Sequence, residues 1–337
     1  MAASWWSRAG LGIFVHWTPA SVPAWAPSPV PADRLPRAAR RAPLAWTPRP
    51  EWYENGLRFP GSPVAAHHRA TYGDRPYAAF GGDFNDALTG WDPVGWARAF
   101  RAAGADYAVL VAKHHDGFCL WPSAIPNPHR ARWHTRRDVI GEFAEAVRAE
   151  GLRLGICYSA GLDWTFDARP IGTGAHALAA VPRGGYPAYA GAQLRELIRR
   201  YRPDLLWNDT VWPGTDTDVR RLVDYYRFAV PRGVMNRPPI PFAPLRRSLR
   251  LPGAGAPYGI TPGEGRGACY HRDAPSGPCP SGPCPSGPCP SGADAAAGGG
   301  GGGGRLLAVG PRGEDAALPG RQLQHLERIA RGECCPM

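Results

Sequence analysis

A chain of 337 residues, 44% hydrophobic and 10% aromatic, can fill one large α/β barrel or two ordinary domains and is too apolar to be disordered throughout. Its formal charge of +11 suggests an anionic partner, yet Lys113 is the single lysine. The arginines are interleaved with acids, as in Arg195-Glu196 and around Asp218, Arg220 and Arg221, which is the pattern of solvated helix faces and argues against nucleic acid.

The predicted elements alternate along the chain. An apolar run, Leu11–Trp17, opens the pattern, and a Pro- and Trp-rich stretch from Pro19 to Pro63 follows that is too long for an ordinary connection and reads as a functional loop. Asp92-Pro93 is an N-cap signal for a helix over Val94–Ala103, and Gly104 ends it. Strand Tyr107–Ala112, helix Val139–Glu150 between Asp138 and Gly151, strand Leu152–Tyr158, helix Gln193–Tyr201, strand Leu205–Trp207 and helix Thr217–Phe228 come next. This βαβα alternation specifies α/β, with a parallel sheet or barrel.

The last third is irregular. Residues 275–304 hold a Pro-Ser-Gly-Pro-Cys repeat and seven consecutive glycines, which have almost no apolar side chains to bury, so disorder is expected there. Apolar pattern returns at Leu306–Val309 and in a helix-like Arg321–Ala330, the expected closing strand and helix of a barrel within 305–337. The domain reading is therefore a barrel over 1–274, degenerate from about residue 237, then the low-complexity segment and the closing unit. Cys119 and Cys157 read as buried thiols; the spacing of the other six cysteines supports neither zinc nor a disulfide framework. The N-terminus has no charged segment leading into an apolar one, and no run of about 18 apolar residues occurs, so a cytoplasmic protein without a membrane partner is expected.

Reactive side chains of a parallel α/β barrel collect at the C-terminal ends of its strands. Here the runs end in His16-Trp17, Lys113-His114-His115-Asp116, Tyr158-Ser159 and Trp207-Asn208-Asp209, which predicts one shared polar site. His16, His114, His115 and Asp209 could ligate a metal, but neighbouring residues on a strand point to opposite faces, so His114 and His115 reach one ion only if the strand breaks there. A Gly-x-Ser-x-Gly nucleophile elbow is absent from the sequence. Glycoside hydrolysis needs a carboxylate at a strand end beside sugar-stacking rings, and Asp209 stands between Trp207 and Trp212.

The run Leu11-Gly12-Ile13-Phe14-Val15-His16-Trp17 with Ser21–Trp25, then Glu51-Trp52-Tyr53, Lys113-His114-His115-Asp116-Gly117-Phe118, Gly155–Ser159 with Asp163-Trp164, and Pro203–Asp209 stand in one order. That set is similar to the signature segments of the α-L-fucosidases of glycoside hydrolase family 29. The resemblance covers residues 5–237 and implies a TIM-barrel-like fold, a retaining mechanism, a fucosylated oligosaccharide or glycoconjugate as substrate, and no cofactor. It puts the nucleophile at Asp209 and substrate contacts at His16, Glu51, Trp52, His114, His115, Tyr158, Trp207 and Arg237. His67, His68, His129 and His134 match no motif and are expected at the surface.

The resemblance breaks after Asn236-Arg237. Retaining hydrolysis also needs a carboxyl to protonate the leaving oxygen. Pro238 to Pro252 contains no acid, the family's glutamate position falls near Ser248-Leu249, and the next acid, Glu264, lies in a Gly-rich segment. A missing acid/base leaves two readings: an impaired fucosidase, or a non-catalytic barrel that binds fucose.

Overall fold

The computed structural model describes residues 5–30 and 34–236 in full and residues 305–309 as backbone. Among the described residues six strands form one parallel sheet: β1 (Leu11–Val15), β2 (Tyr107–Lys113), β3 (Arg153–Ser159), β4 (Leu205–Asp209), β5 (Val234–Met235) and β6 (Arg305–Val309). Their spatial order is β5-β4-β3-β2-β1-β6. Strands consecutive in sequence lie side by side from β1 to β5, and β6 pairs with the free edge of β1. A doubly wound sheet reverses its order at a switch point. This one runs in cyclic order, which is the arrangement of a TIM-barrel-like (β/α) fold.

Side-chain alternation splits the core into two layers. Phe14, Tyr107, Val109, Val111, Cys157 and Leu205 share the inner face. Ile13, Val15, Leu110, Ile156, Tyr158 and Leu206 face outward into the larger cluster made with the helices. The inner layer is tight where the Tyr107 ring crosses β1: a Cβ on Gly12 would sit 2.0 Å from that ring. Trp5 and Trp6 pack on Tyr107 at 6.2 and 5.4 Å between ring centroids and cover the N-terminal end of the strands. Two carboxylates set strand positions at that end: Asp106 accepts from Gly10 N at 2.6 Å, and Asp204 accepts from Leu154 N at 3.1 Å.

The helices form where local signals place them. Asp92 caps α5 (Pro93–Ala102), after the short helices α1 (Arg37–Arg41), α2 (Tyr53–Leu57), α3 (Pro63–Tyr72) and α4 (Phe80–Ala87). Asp138 caps α6 (Val139–Ala149) by accepting from Gly141 N at 3.0 Å. Past the ends of these two helices, Gly104 and Gly151 adopt φ of +80° and +74°, a left-handed turn that costs glycine least. After α7 (Gly174–Ala179), α8 spans Tyr186–Tyr201 and starts earlier than its apolar spacing suggests, because Tyr186 and Tyr189 are themselves buried. A capping box between Thr215 and Asp218 starts α9 (Asp216–Ala229).

Among its described residues the Pro19–Pro63 stretch carries α1, α2 and short 3-10 turns, of which Pro50–Trp52 holds Glu51. His68, expected at the surface, is buried, with Nδ1 3.0 Å from the Tyr53 hydroxyl and Nε2 2.7 Å from the Arg75 carbonyl. The sequence pattern missed it because α3 lies beneath that long connection. No helix among the described residues is long and apolar enough to cross a membrane. The low-complexity segment 275–304 and the helix-like Arg321–Ala330 lie outside the described residues.

Candidate active site

The site assembles at the C-terminal ends of β1, β2 and β4. β2 pairs with β3 regularly up to Val111 and then shifts register, so that Lys113, not Ala112, stands opposite Tyr158. The extra residue resets the alternation and the strand ends at Lys113. His114 and His115 therefore follow the strand instead of lying on it, which removes the objection that neighbours must point apart. Their rings lie 3.9 Å apart between centroids, tilted by 34°, and His16 meets His114 edge to face at 5.6 Å. One donor atom each from His114, His115 and Asp209 lies within 4.8 Å of the others. Three such groups have the chemistry to hold a metal ion and equally to bind a set of sugar hydroxyls.

His115 is enclosed on several sides. Trp52 and Trp164 meet its ring edgewise at 5.3 and 5.6 Å, and its Nδ1 lies 2.6 Å from Ser159 Oγ. Its Nε2 stands 3.8 Å from Asp209 Oδ2, beyond hydrogen-bond range. Burial, with the charges of His16, Lys113 and Arg49 adding to it, lowers the His115 pKa to about 3. His114 is pushed well below the ordinary value, first by burial and then by His115 and His16, and its Nδ1 is buried without a hydrogen-bond partner among the described residues. Both imidazoles are neutral at pH 7.

Asp209 ends β4 with its side chain 36% exposed, at the open side of the cluster. Burial raises its pKa first; His16 and the Thr210 N–H lower it, Glu51 raises it and Arg49 lowers it. Thr210 has φ +67°, a costly conformation for a β-branched residue, and its hydroxyl accepts from Gly161 N at 2.9 Å. The chain thus turns sharply just after Asp209. Trp207, two residues earlier on the same face, meets Phe14 edgewise at 5.4 Å, and Phe14 stacks on His16 at 5.1 Å.

The structure brings together His16, Trp52, His114, His115, Trp207 and Asp209, with Glu51 close enough to act electrostatically on Asp209. Tyr158 is a correction. It is fully buried on the outer face and donates to Gln193 Oε1 of α8 at 2.8 Å. The register explains it: Ser159 pairs with the inward-facing Asp209, so Tyr158, one residue earlier and opposite Asn208, must face out. The inward positions of β3 are Cys157 and Ser159. Arg237 and Glu264 lie outside the described residues. Sequence reading named Ser159 only as a strand end and left out Trp164 and Arg49 as site residues; that Ser159 faces the pocket follows from its pairing with Asp209, which no local pattern reports.

Beneath the pocket, Lys113 is fully buried. Its Nζ lies 2.8 Å from Asp163 Oδ2, 3.2 Å from the Tyr186 hydroxyl and 4.6 Å from the Tyr158 ring centroid. Burial alone would lower its pKa, but Asp163, Tyr158 and Tyr189 outweigh burial and raise it. The only lysine is therefore a fixed buried cation facing α8, and it does not bind substrate.

Comparison with known proteins agrees with this geometry. The α-L-fucosidase family model matches residues 1–234, from before β1 to the start of β5. The chain belongs to the α-L-fucosidase family. Tissue α-L-fucosidase of Bos taurus is 32% identical over 220 residues, covering 64% of this chain and 40% of that protein. The tissue enzyme of Homo sapiens is 30% identical over 230 residues, again 64% and 40%. The chain spans about two fifths of the length of these curated relatives. Among solved structures, Thermotoga maritima α-fucosidase in complex with fucose is 37% identical with a TM-score of 0.63, over 71% of this chain and 54% of that one. These similarities support the TIM-barrel-like reading of the cyclic strand order, and the family match ends at residue 234, ahead of the acid-free stretch Pro238 to Pro252.

Proposed function

We propose that this member of the α-L-fucosidase family hydrolyses terminal α-L-fucosyl linkages of fucosylated oligosaccharides or glycoconjugates with retention, through a covalent intermediate on Asp209. The observation that supports this most is the convergence of Asp209 with two neutral imidazoles at one strand-end cluster, walled by Trp52 and Trp207. In the first step an Asp209 oxygen bonds to the anomeric carbon as the bond to the leaving oxygen breaks; that oxygen keeps the pair and takes a proton. Water then attacks the anomeric carbon, the ester to Asp209 breaks, and the water's proton goes to a base. His16, His114, His115 and Glu51 bind hydroxyls, and the indoles lie against the apolar face of the ring. Family membership favours this reading over a non-catalytic fucose binder.

No proton donor is assigned among the described residues, and none is encoded between Pro238 and Pro252. Turnover should therefore depend steeply on the leaving group: an activated aryl α-L-fucoside should give a burst of aglycone, and alkyl fucosides should react far more slowly. Asp209→Ala should cut turnover by roughly 10³-fold or more while fucose affinity stays within a few-fold, because the attack is made only in the transition state. Activity of Asp209→Ala within tenfold of the parent would reject the nucleophile. Fucose binding with neither burst nor turnover in the parent would favour the binding protein.

A further inference from the structure

We infer that Ser159 is a positioning residue that fixes the tautomer of His115, so that Nε2 faces the substrate as a hydrogen-bond acceptor and demands a hydroxyl donor beside Asp209. The inference rests on the fucosidase reading for the nature of that hydroxyl; the tautomer itself does not depend on it.

Ser159 Oγ has two partners, His115 Nδ1 at 2.6 Å and the Leu162 carbonyl at 3.0 Å. A carbonyl only accepts, so the single hydroxyl proton goes to Leu162 and the oxygen is left to accept. The group at Nδ1 must then be an N–H. The opposite tautomer would turn the serine proton to Nδ1 and set its oxygen against the Leu162 carbonyl, two acceptors at 3.0 Å in a site where Ser159 is fully buried. It would gain little in return, because an N–H at Nε2 would have only Asp209 Oδ2, 3.8 Å away.

The ring cannot escape by turning. The His114 ring packs tilted against it at 3.9 Å, Trp52 and Trp164 stand at its edges, and the Trp164 backbone N–H donates to the His115 carbonyl at 2.7 Å, which anchors the backbone beneath. Protonation does not rescue the other arrangement either, since burial and the surrounding cations keep the imidazole neutral at pH 7. The result is a lone pair on Nε2 and a carboxylate oxygen facing each other across 3.8 Å with no proton between them. Two acceptors so placed select for a ligand that carries an O–H donor into the gap, which a sugar hydroxyl supplies and an ether or deoxy position does not. Ser159 thereby contributes to specificity without touching the sugar.

The test begins on the ligand-free protein. Long-range ¹H–¹⁵N correlation of the histidine rings at pH 7, with the His115→Gln variant assigning the resonance, should place the His115 proton on Nδ1 in the parent. Ser159→Ala should move the proton to Nε2 or mix the tautomers, and Ser159→Thr, which keeps a hydroxyl, should restore Nδ1–H. Kinetics with a series of singly deoxygenated aryl α-L-fucosides should show one position at which the parent loses roughly 10²-fold in kcat/KM. In Ser159→Ala that penalty should shrink to within about tenfold as the fully hydroxylated substrate becomes worse. A parent protein with the proton on Nε2 overturns the inference even if Ser159→Ala fails to fold. So does a Ser159→Ala variant that keeps both Nδ1–H and the full deoxy penalty. If the proton is on Nδ1, follows the serine variants as stated, and no fucoside is turned over, the fucosidase reading fails while the positioning role stands.

Discussion

Replacing Lys113 with methionine removes the only lysine ammonium and keeps most of its apolar stem. The consequence follows from what is left behind. Asp163 Oδ2 loses its partner at 2.8 Å, while Oδ1 keeps the Thr165 N–H at 3.0 Å and the Thr165 hydroxyl at 2.6 Å, so a fully buried carboxylate retains two hydrogen bonds and no counter-charge. Removing one partner of a buried ion pair costs about 3–5 kcal/mol, chiefly the penalty of the stranded charge. Loss of the ammonium over the Tyr158 ring at 4.6 Å adds to this. Against a total stability of about 5–15 kcal/mol, that is roughly a fifth or more of the fold. Equilibrium urea unfolding followed by tryptophan fluorescence should show the midpoint falling with little change in slope. The double variant Lys113→Met/Asp163→Leu should recover at least about 2 kcal/mol, since an apolar pair strands no charge. A single-variant cost under about 1 kcal/mol, or a double variant no better than the single, would refute the assignment of Lys113 as a structural cation.

Tyr158→Phe removes one buried hydrogen bond, to Gln193, and nothing from the pocket: it should cost about 1 kcal/mol of stability and leave kcat/KM within about threefold, whereas a loss of roughly 10²-fold would return Tyr158 to the site. Asp116, fully buried, has its pKa pushed up from 3.8 to about 7, first by burial and then by Glu54. A folded pKa above the unfolded one favours the fold at low pH, and that contribution is lost as pH rises through the interval. Asp116→Asn should therefore gain on the parent by up to about 4 kcal/mol between pH 4 and pH 7 in denaturation curves, and a difference independent of pH would contradict the raised value. Chelators should leave activity unchanged, because the His114, His115 and Asp209 cluster is read as binding hydroxyls; inactivation by EDTA with recovery on added zinc would reassign it.

Much of the architecture was legible because it rests on local physics. Apolar runs, Asp92 and Asp138 ahead of helices, and Gly104 and Gly151 behind them report backbone requirements that neighbouring residues alone decide, and each cap is formed. The family was legible as well, since its motifs are contiguous segments, most of them at the ends of β1 to β4. Which way a side chain faces at those ends was not. A single register shift before Lys113 releases His114 and His115 together into the pocket, and strand pairing between Ser159 and Asp209 turns Tyr158 away from it. A one-residue slip exchanges the two faces of a strand, so a motif names its residues without saying which of them meet the substrate. The burial of Lys113, the enclosure of His68 and the hydroxyl that holds His115 depend on elements far apart in the chain, and only the packed structure decides them.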